Sequence, residues 1–507
     1  MTSMKYRVLL LMLSILSFAG CSDFLEESSL DEVRPTSIDD LMQIMVGEVY
    51  PMSNTVRGFQ DFLTDDVECF GAQNQEILEA PIENLYRLFS WDDEMFNEGA
   101  GTHDRVNAWK VYYNKIMGAN TVLEHIDQVK GDQVNKDNLR GQALTMRAWY
   151  YFSLVNLFGL PYNYGNPEEN PGVPLKLEME ITGGYYTRNS VAEVYKQIEE
   201  DLLAGVDLLE KNPLSMSEYK ISVLAAKSIL SRVYLYMENW DEALKYANEV
   251  LAVKPTLTAL ASAEDAAFAW QGKSPFGVYN VETSDEVIWI YSNTGEIGSL
   301  YSAGGYNYRA AFGVSSDLMA LYEFVNDTEK ENYMDLRPFM YFVNSAYIQP
   351  SGAVYYQLYA FKGGKHSTTI GGKGIRTAEL YLNRAEVYIR KYMASGDDSY
   401  RQLALDDLNN LREHRYDTRN VAYEPKDIRD AEELFEFYKN ERRRELCFED
   451  HRWFDLRRYG MPSITHSYFI STDNREEITL RKDDPRYALP IPRVALNRNP
   501  LLVQNER

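Results

Sequence analysis

The stretch VLAAKSILSRVYLYMENWDEALKYANEVLAVKP, Val223 to Pro255, decides the fold. Its first half places Val223, Ala226, Leu230, Val233 and Met237 three or four positions apart, which puts one apolar stripe on one face of an α-helix. The polar run Glu238-Asn239-Trp240-Asp241 breaks that stripe. A second helical pattern follows with Ala243, Ala247 and Val250, and Pro255 stops it. Small residues at facing positions let two helices approach closely, so the stretch predicts a helical hairpin.

Leu230, Tyr234, Ala243, Ala247, Val250 and Pro255 together match the spacing of a tetratricopeptide repeat. One such pair cannot bury its own faces, so stacked neighbours are required. Stripes of the same period supply them, at Leu139, Ala143, Met146, Tyr150, Leu154 and Leu157, and at Ile375, Ala378, Leu382, Ala385 and Ile389. The pattern predicts helices near 102–127 with 137–158, 190–211 with 219–237, and 375–394 with 401–415. A last helical stretch near 428–458 would cap them. The expected fold is mainly α, a tetratricopeptide-like superhelix of about four helix pairs. From 256 to 374 Gly, Ser, Asn and Tyr rise, and short β-like runs appear at Glu286–Tyr291 and Val354–Tyr359. That insert reads as loops and short strands laid over the scaffold, which is where binding residues usually sit.

The formal charge is −24, with Lys and Arg spread thinly along the chain. Such a field repels polyanions, which excludes nucleic acid as a partner, and it disfavours an anionic bilayer surface. The N-terminus supplies another route to a membrane. Lys5 and Arg7 precede an apolar run from Val8 to Phe18, and Ala19-Gly20 then lead into Cys21. The run is about 11 residues, too short to span a bilayer, which takes roughly 20. Residues 1–20 therefore read as a lipoprotein signal peptide ending on a lipobox, with Cys21 as the lipidated residue. Phe18 stands where a lipobox usually has Leu. Residues 21–40 carry Asp23, Glu26, Glu27, Asp31 and Glu32 and read as an acidic tether.

Cys69 and Cys447 are too few and too far apart for a disulfide framework and are expected as two buried thiols. Six scattered histidines form no HExxH motif, so no metal and no cofactor is indicated. The chain holds 38 Tyr against 7 Trp, so most tyrosines must serve the core, where a ring needs a partner for its hydroxyl. Catalysis finds little support. The acidic doublets Asp65-Asp66, Asp92-Asp93, Asp397-Asp398 and Asp406-Asp407 are expected on the solvated surface, because adjacent side chains cannot face one bond from opposite sides. Gly363-Gly364-Lys365 is followed by His366, which does not fit a phosphate loop.

The most specific stretch is ERRRELCFEDHRWFDLRRYG, residues 441–460. Physically it suits an ion-pair and aromatic seal closing the helical array, with Glu441, Arg442, Arg443, Arg444 and Glu445 beside Trp453, Phe454 and Leu456. It also resembles the signature of SusD/RagB-like nutrient-binding lipoproteins of the Bacteroidota outer membrane. The resemblance extends to RTAELYLNRAE at 376–386, RAWYYFSLVNLFG at 147–159 with GVPL at 172–175, and LPIP at 489–492. Asn499-Pro500 with Gln504-Asn505, and Trp109, Tyr112, Ile116 and Asn120, fit it too. Cys447 replaces a common Ala and Asp450 a common Gly.

The resemblance implies one SusD-like domain over 41–507, a lipid anchor in the outer membrane at the cell surface, and no enzymatic activity. It implies capture of a nutrient, an oligosaccharide first of all, for a SusC-like TonB-dependent transporter. A peptide or other nutrient binder and a tetratricopeptide scaffold for protein partners are the alternatives. It further implies that ligand platforms lie in loops outside the repeats. By location these are Asp66, Trp91 and Asn97 before the first repeat helix, and Tyr291, Tyr301 and Tyr306 in the insert. For each aromatic, a place in the core is the competing role.

Overall fold

Most long helices start on a side chain that accepts a backbone N–H two or three residues ahead. Asn107 caps Ala108–His125, Asp132 caps Gln133–Phe158, Ser190 caps Val191–Lys211 and Ser222 caps Val223–Tyr236. Asn239, Asp397 and Asp430 do the same for Trp240–Val253, Asp398–Glu413 and Ala431–Leu446. The helix Thr377–Ser395 lacks such a cap, because Arg376 before it has no acceptor atom; its side chain enters buried ion pairs instead. The computed structural model describes residues 34–51, 59–70, 79–97, 107–179, 184–215, 217–262, 278–291, 311–323, 335–348, 354–360, 372–419, 422–471 and 474–507.

The fold is mainly α-helical and follows the predicted pairs. Ala108–His125 packs on Gln133–Phe158, which packs on Val191–Lys211, which meets Val223–Tyr236. The hairpin of Val223–Tyr236 and Trp240–Val253 then leans on Thr377–Ser395, itself paired with Asp398–Glu413 and Ala431–Leu446. Two glycines set the closest crossing. A Cβ on Gly205 would lie 2.6 Å from Thr145 Oγ1, and one on Gly141 2.9 Å from Leu209 Cγ. Tyrosines fill the core as their number implied, many with a partner for the hydroxyl; the buried Tyr236 hydroxyl has none among the described residues. Tyr150 donates to the Val49 carbonyl, Tyr151 to that of Lys176 at 2.7 Å, and Tyr438 to Glu386 at 2.7 Å.

The insert is more deeply embedded than a layer laid over a scaffold. Its strand Val287–Ile290 is buried along its whole length and pairs antiparallel with Gly374–Arg376, at the foot of a scaffold helix. Gly374 is required there, since a Cβ would fall 2.1 Å from the Trp289 carbonyl oxygen. Val354–Ala360 pairs with Phe342–Ile348, Phe312–Val314 with Val67–Cys69, and a hairpin joins Ile464–Ser471 to Asn474–Leu480. The last helical stretch is two helices, Ala431–Leu446 and Arg452–Arg458. Phe448 and Asp450 break it by adopting φ of 58° and 63°. An Asp tolerates this left-handed conformation better than most residues. Cys69 and Cys447 are both buried free thiols.

The 441–460 block is the expected seal. Glu445 has no solvent access and receives Arg376 at 2.7 Å, Arg415 at 2.9 Å and Arg337 at 3.3 Å. Glu286 binds Arg376 and Arg415 from the insert side, and Glu441 binds Arg337, Arg412 and Arg444. Nearby, Arg458 grips Glu386 through both terminal nitrogens, at 2.6 and 2.7 Å.

Gly205→Ala should lower the unfolding free energy by about 1–3 kcal/mol through overpacking against Thr145. An unchanged melting temperature would show that the helices separate freely. The second expectation concerns acid. Burial alone would raise the Glu386 carboxyl, but Arg458 and its neighbours outweigh it and hold the group at about 2 against an ordinary 4.5. The pair's stabilisation is then full above pH 4.5 and is lost as pH falls towards about 2. Glu386→Gln should cost about 3–5 kcal/mol at pH 7 and flatten that acid limb. Urea midpoints across pH would report both, and an identical acid limb in the variant would sink the assignment.

Candidate functional site

The residues before the first repeat helix form a turn whose geometry begins with Trp91. The helix Glu79–Phe89 ends with the Trp91 N–H donating to the Leu88 carbonyl at 3.2 Å and the Asp92 N–H donating to that of Arg87 at 2.9 Å. This is a Schellman ending, and its left-handed position falls to Trp91, with φ of 53°, where glycine is usual. Burial offsets the strain. The indole is fully enclosed, stacks on His466 at 4.2 Å, and donates from Nε1 to the Leu63 carbonyl at 3.1 Å. His466 lies between Trp91 and Phe89, and its Nδ1 and Nε2 sit 2.7 and 2.9 Å from the Phe89 and Thr64 carbonyl oxygens. Burial pushes the pKa of this imidazole below its ordinary value.

With its ring as an anchor, Trp91 turns Asp92, Asp93 and Glu94 outwards into one wall of an open cleft of about 530 Å³. That falls within the roughly 300–1,000 Å³ typical of small-ligand sites. Arg507 crosses to this wall. Its Nε binds Asp93 at 2.6 Å, its Nη2 donates to the Trp91 carbonyl at 2.8 Å, and its Nη1 donates to that of Ala488 at 3.0 Å. Arg486 also lines the cleft, held bidentate by Asp484. Tyr86 offers a half-buried ring with its hydroxyl 3.3 Å from Glu476, and Ile478 adds an apolar side. Ser90 lines the cleft with a buried hydroxyl that has no partner among the described residues. Carboxylates, guanidinium groups and a hydroxyl around partly apolar walls can hydrogen-bond a polyol while covering its carbon faces.

The predicted residues divide. Trp91 lines this cleft, but its ring presents no face to a ligand, so its part is that of an anchor. Asn97 stands at the margin, where Nδ2 donates to Glu94 and Oδ1 accepts the Arg493 N–H at 3.0 Å. Asp66 is enclosed, with Arg443 Nε at 2.6 Å, and leaves no open face for a ligand. The expectation of a solvated Asp65-Asp66 doublet is overturned with it, since Arg452 clasps Asp65 at 2.7 and 2.8 Å. Arg384 likewise draws Asp407 out of solvent at 2.7 Å.

Tyr291 is 6% exposed, packs 5.2 Å from Trp149, and donates to the Glu449 carbonyl at 3.1 Å. It lines a separate cavity of about 40 Å³, small beside the roughly 150 Å³ that admits a benzene ring. Tyr301, Tyr306 and Cys21 lie outside the described residues. Tyr86, Ser90, Glu94, Arg486 and Arg507 were not anticipated. The Asp92-Asp93 doublet was the one visible signal.

Among the described residues, no helix is long and apolar enough to cross a membrane. Residues 23–235 match a family described as starch-binding associating with outer membrane, and residues 301–507 match the SusD family. A curated relative, SusD-like protein P2 of Formosa agariphila, is 25% identical over 99% of both chains. A SusD superfamily protein from Bacteroides thetaiotaomicron shares the fold at a TM-score of 0.67, with 22% identity, covering 93% of this chain and 100% of its own. A SusD-like carbohydrate binding protein from Bacteroides vulgatus gives a TM-score of 0.63 and 19% identity, covering 92% of this chain and 97% of its own. The helix pairs, the 441–460 seal and these matches to both halves agree, and the chain belongs to the SusD/RagB-like family.

Proposed function

We propose that this chain is a cell-surface lipoprotein that binds an oligosaccharide and delivers it to a SusC-like TonB-dependent outer-membrane transporter. One observation carries the reading: its two halves match SusD-type families, and the first is described as starch-binding associating with outer membrane. The carbohydrate-binding relative of the same fold supports it. The cleft beside Asp92 and Asp93 is the site proposed for the sugar. Carboxylates there accept hydroxyl hydrogens, Ser90 can donate or accept, and the Tyr86 ring covers a CH face. No covalent step is involved. Cys21 carries the lipid, and the acidic tether gives the binding domain reach from the membrane.

Affinity electrophoresis against a panel of polysaccharides tests the binding. Retarded migration on at least one glycan is expected, with at least tenfold weaker binding in Asp92→Ala/Asp93→Ala and an unchanged melting temperature. Peptide binding by calorimetry without any retardation would instead support the peptide reading. The partner is tested separately. A barrel of the TonB-dependent class should co-purify with the lipidated chain from outer membranes, and Cys21→Ala should abolish recovery. Equal recovery without the lipid would remove the anchor from the mechanism.

A further inference from the structure

We infer that the cleft takes uncharged oligosaccharides and rejects polyanionic ones bearing uronate or sulfate groups. The inference rests on the sugar-binding reading and adds the class of sugar. Asp92, Asp93 and Glu94 form one wall within three consecutive positions, and the Asp93 side chain is 60% exposed. Glu94 is paired with Arg493 and Asp92 lies 4.0 Å from Arg87 Nη1, so Asp93 is the most open of the three carboxylates that a glycan meets.

The cations of the cleft do not reverse that sign. Arg507 has all three guanidinium nitrogens engaged, one by Asp93 and two by backbone carbonyls. Arg486 is bound bidentate by Asp484, and its Nη2 also donates to the Thr479 carbonyl. An anionic sugar that approached either guanidinium would also meet the carboxylate already bound to it, Asp484 or Asp93. Glu476 at the Tyr86 hydroxyl adds to the negative wall. A neutral polyol meets no such penalty. Its hydroxyls can donate to Asp92 and Asp93, and the buried Ser90 hydroxyl, which has no partner among the described residues, supplies a polar contact.

Two unit charges about 4 Å apart in water change binding roughly fivefold. Several repeats of an acidic polymer make the discrimination larger, and salt weakens it. The whole-chain charge of −24 acts in the same direction at longer range.

The test compares soluble neutral glucans, mannans and xylans with polygalacturonate, alginate and a sulfated galactan, by calorimetry at low and high salt. Neutral chains should bind at least tenfold tighter than any polyanion at low salt, and the gap should narrow as salt rises. Asp92→Asn/Glu94→Gln should move the ratio at least threefold towards the polyanions, a change that loss of structure alone would not produce. A polyanion that binds as well as any neutral chain, and weakens with salt, overturns the inference while leaving glycan binding intact. No binding to any member of the panel overturns both.

Discussion

Glu445 is shut off from water and faces three guanidinium groups, and the rest of the fold is arranged around that fact. A buried carboxylate left alone costs several kcal/mol, so each Arg must arrive from its own element in one geometry. Arg376 comes from the foot of a scaffold helix, Arg415 from the end of Asp398–Glu413, and Arg337 from the insert. In the network they belong to, Arg337, Arg376, Arg412, Arg415 and Arg444 face Asp335, Glu286, Glu441, Glu445 and Glu449. Such a network is a weak source of net stability compared with a hydrophobic core. Its effect here is selection: one relative placement of repeats and insert satisfies every charge, and displaced placements strand one.

The same block of sequence, 441–460, braces the cleft. Arg443 and Arg452 leave the seal and hold Asp66 and Asp65, which fixes the segment that contains Leu63 and Thr64. The carbonyls of those two residues receive the Trp91 indole N–H and face the His466 ring. The turn that displays Asp92 to Glu94 is therefore braced through two contacts from the seal. This explains how a bulky Trp occupies a left-handed position at all. Strain of about 1–3 kcal/mol is typical of such a residue, and it persists where the surroundings fix the side chain independently. A glycine there would relieve the strain and release the ring that holds the turn against the hairpin.

This division also explains what could be read from the sequence. Helices announce themselves by period, so Val223–Tyr236 and Trp240–Val253 were legible, and a cap such as Asn239 marks where one starts. Buried thiols and an ion-pair seal were legible from residue type. The site was less so, because its parts are far apart in the chain. Arg443 stands 377 residues from Asp66, and Arg507 stands 414 from Asp93. No local pattern marks which acid of a doublet will be drawn inside. Trp91 misled for a related reason: a Trp in a loop before the repeats suits a stacking platform, and only the long-range contact with His466 shows its ring enclosed. Tyr291 follows a strand buried on both faces, so alternation gave no sign of which side faced a ligand.

Charge is the last consequence of the seal. Five guanidinium groups and five carboxylates cancel within it, so it removes arginines from the surface without changing the total. The excess behind −24 is carried outside that network. Arginine at the cleft is likewise committed, to Asp93 and Asp484, before any ligand arrives. Cations that close the fold are thus unavailable to attract anions, and the outside of the molecule is left acidic. An acidic surface repels an anionic membrane face and polyanions in solution alike. A protein of this charge that works at a membrane needs a tether that does not depend on electrostatics, and the lipid proposed on Cys21 has that property.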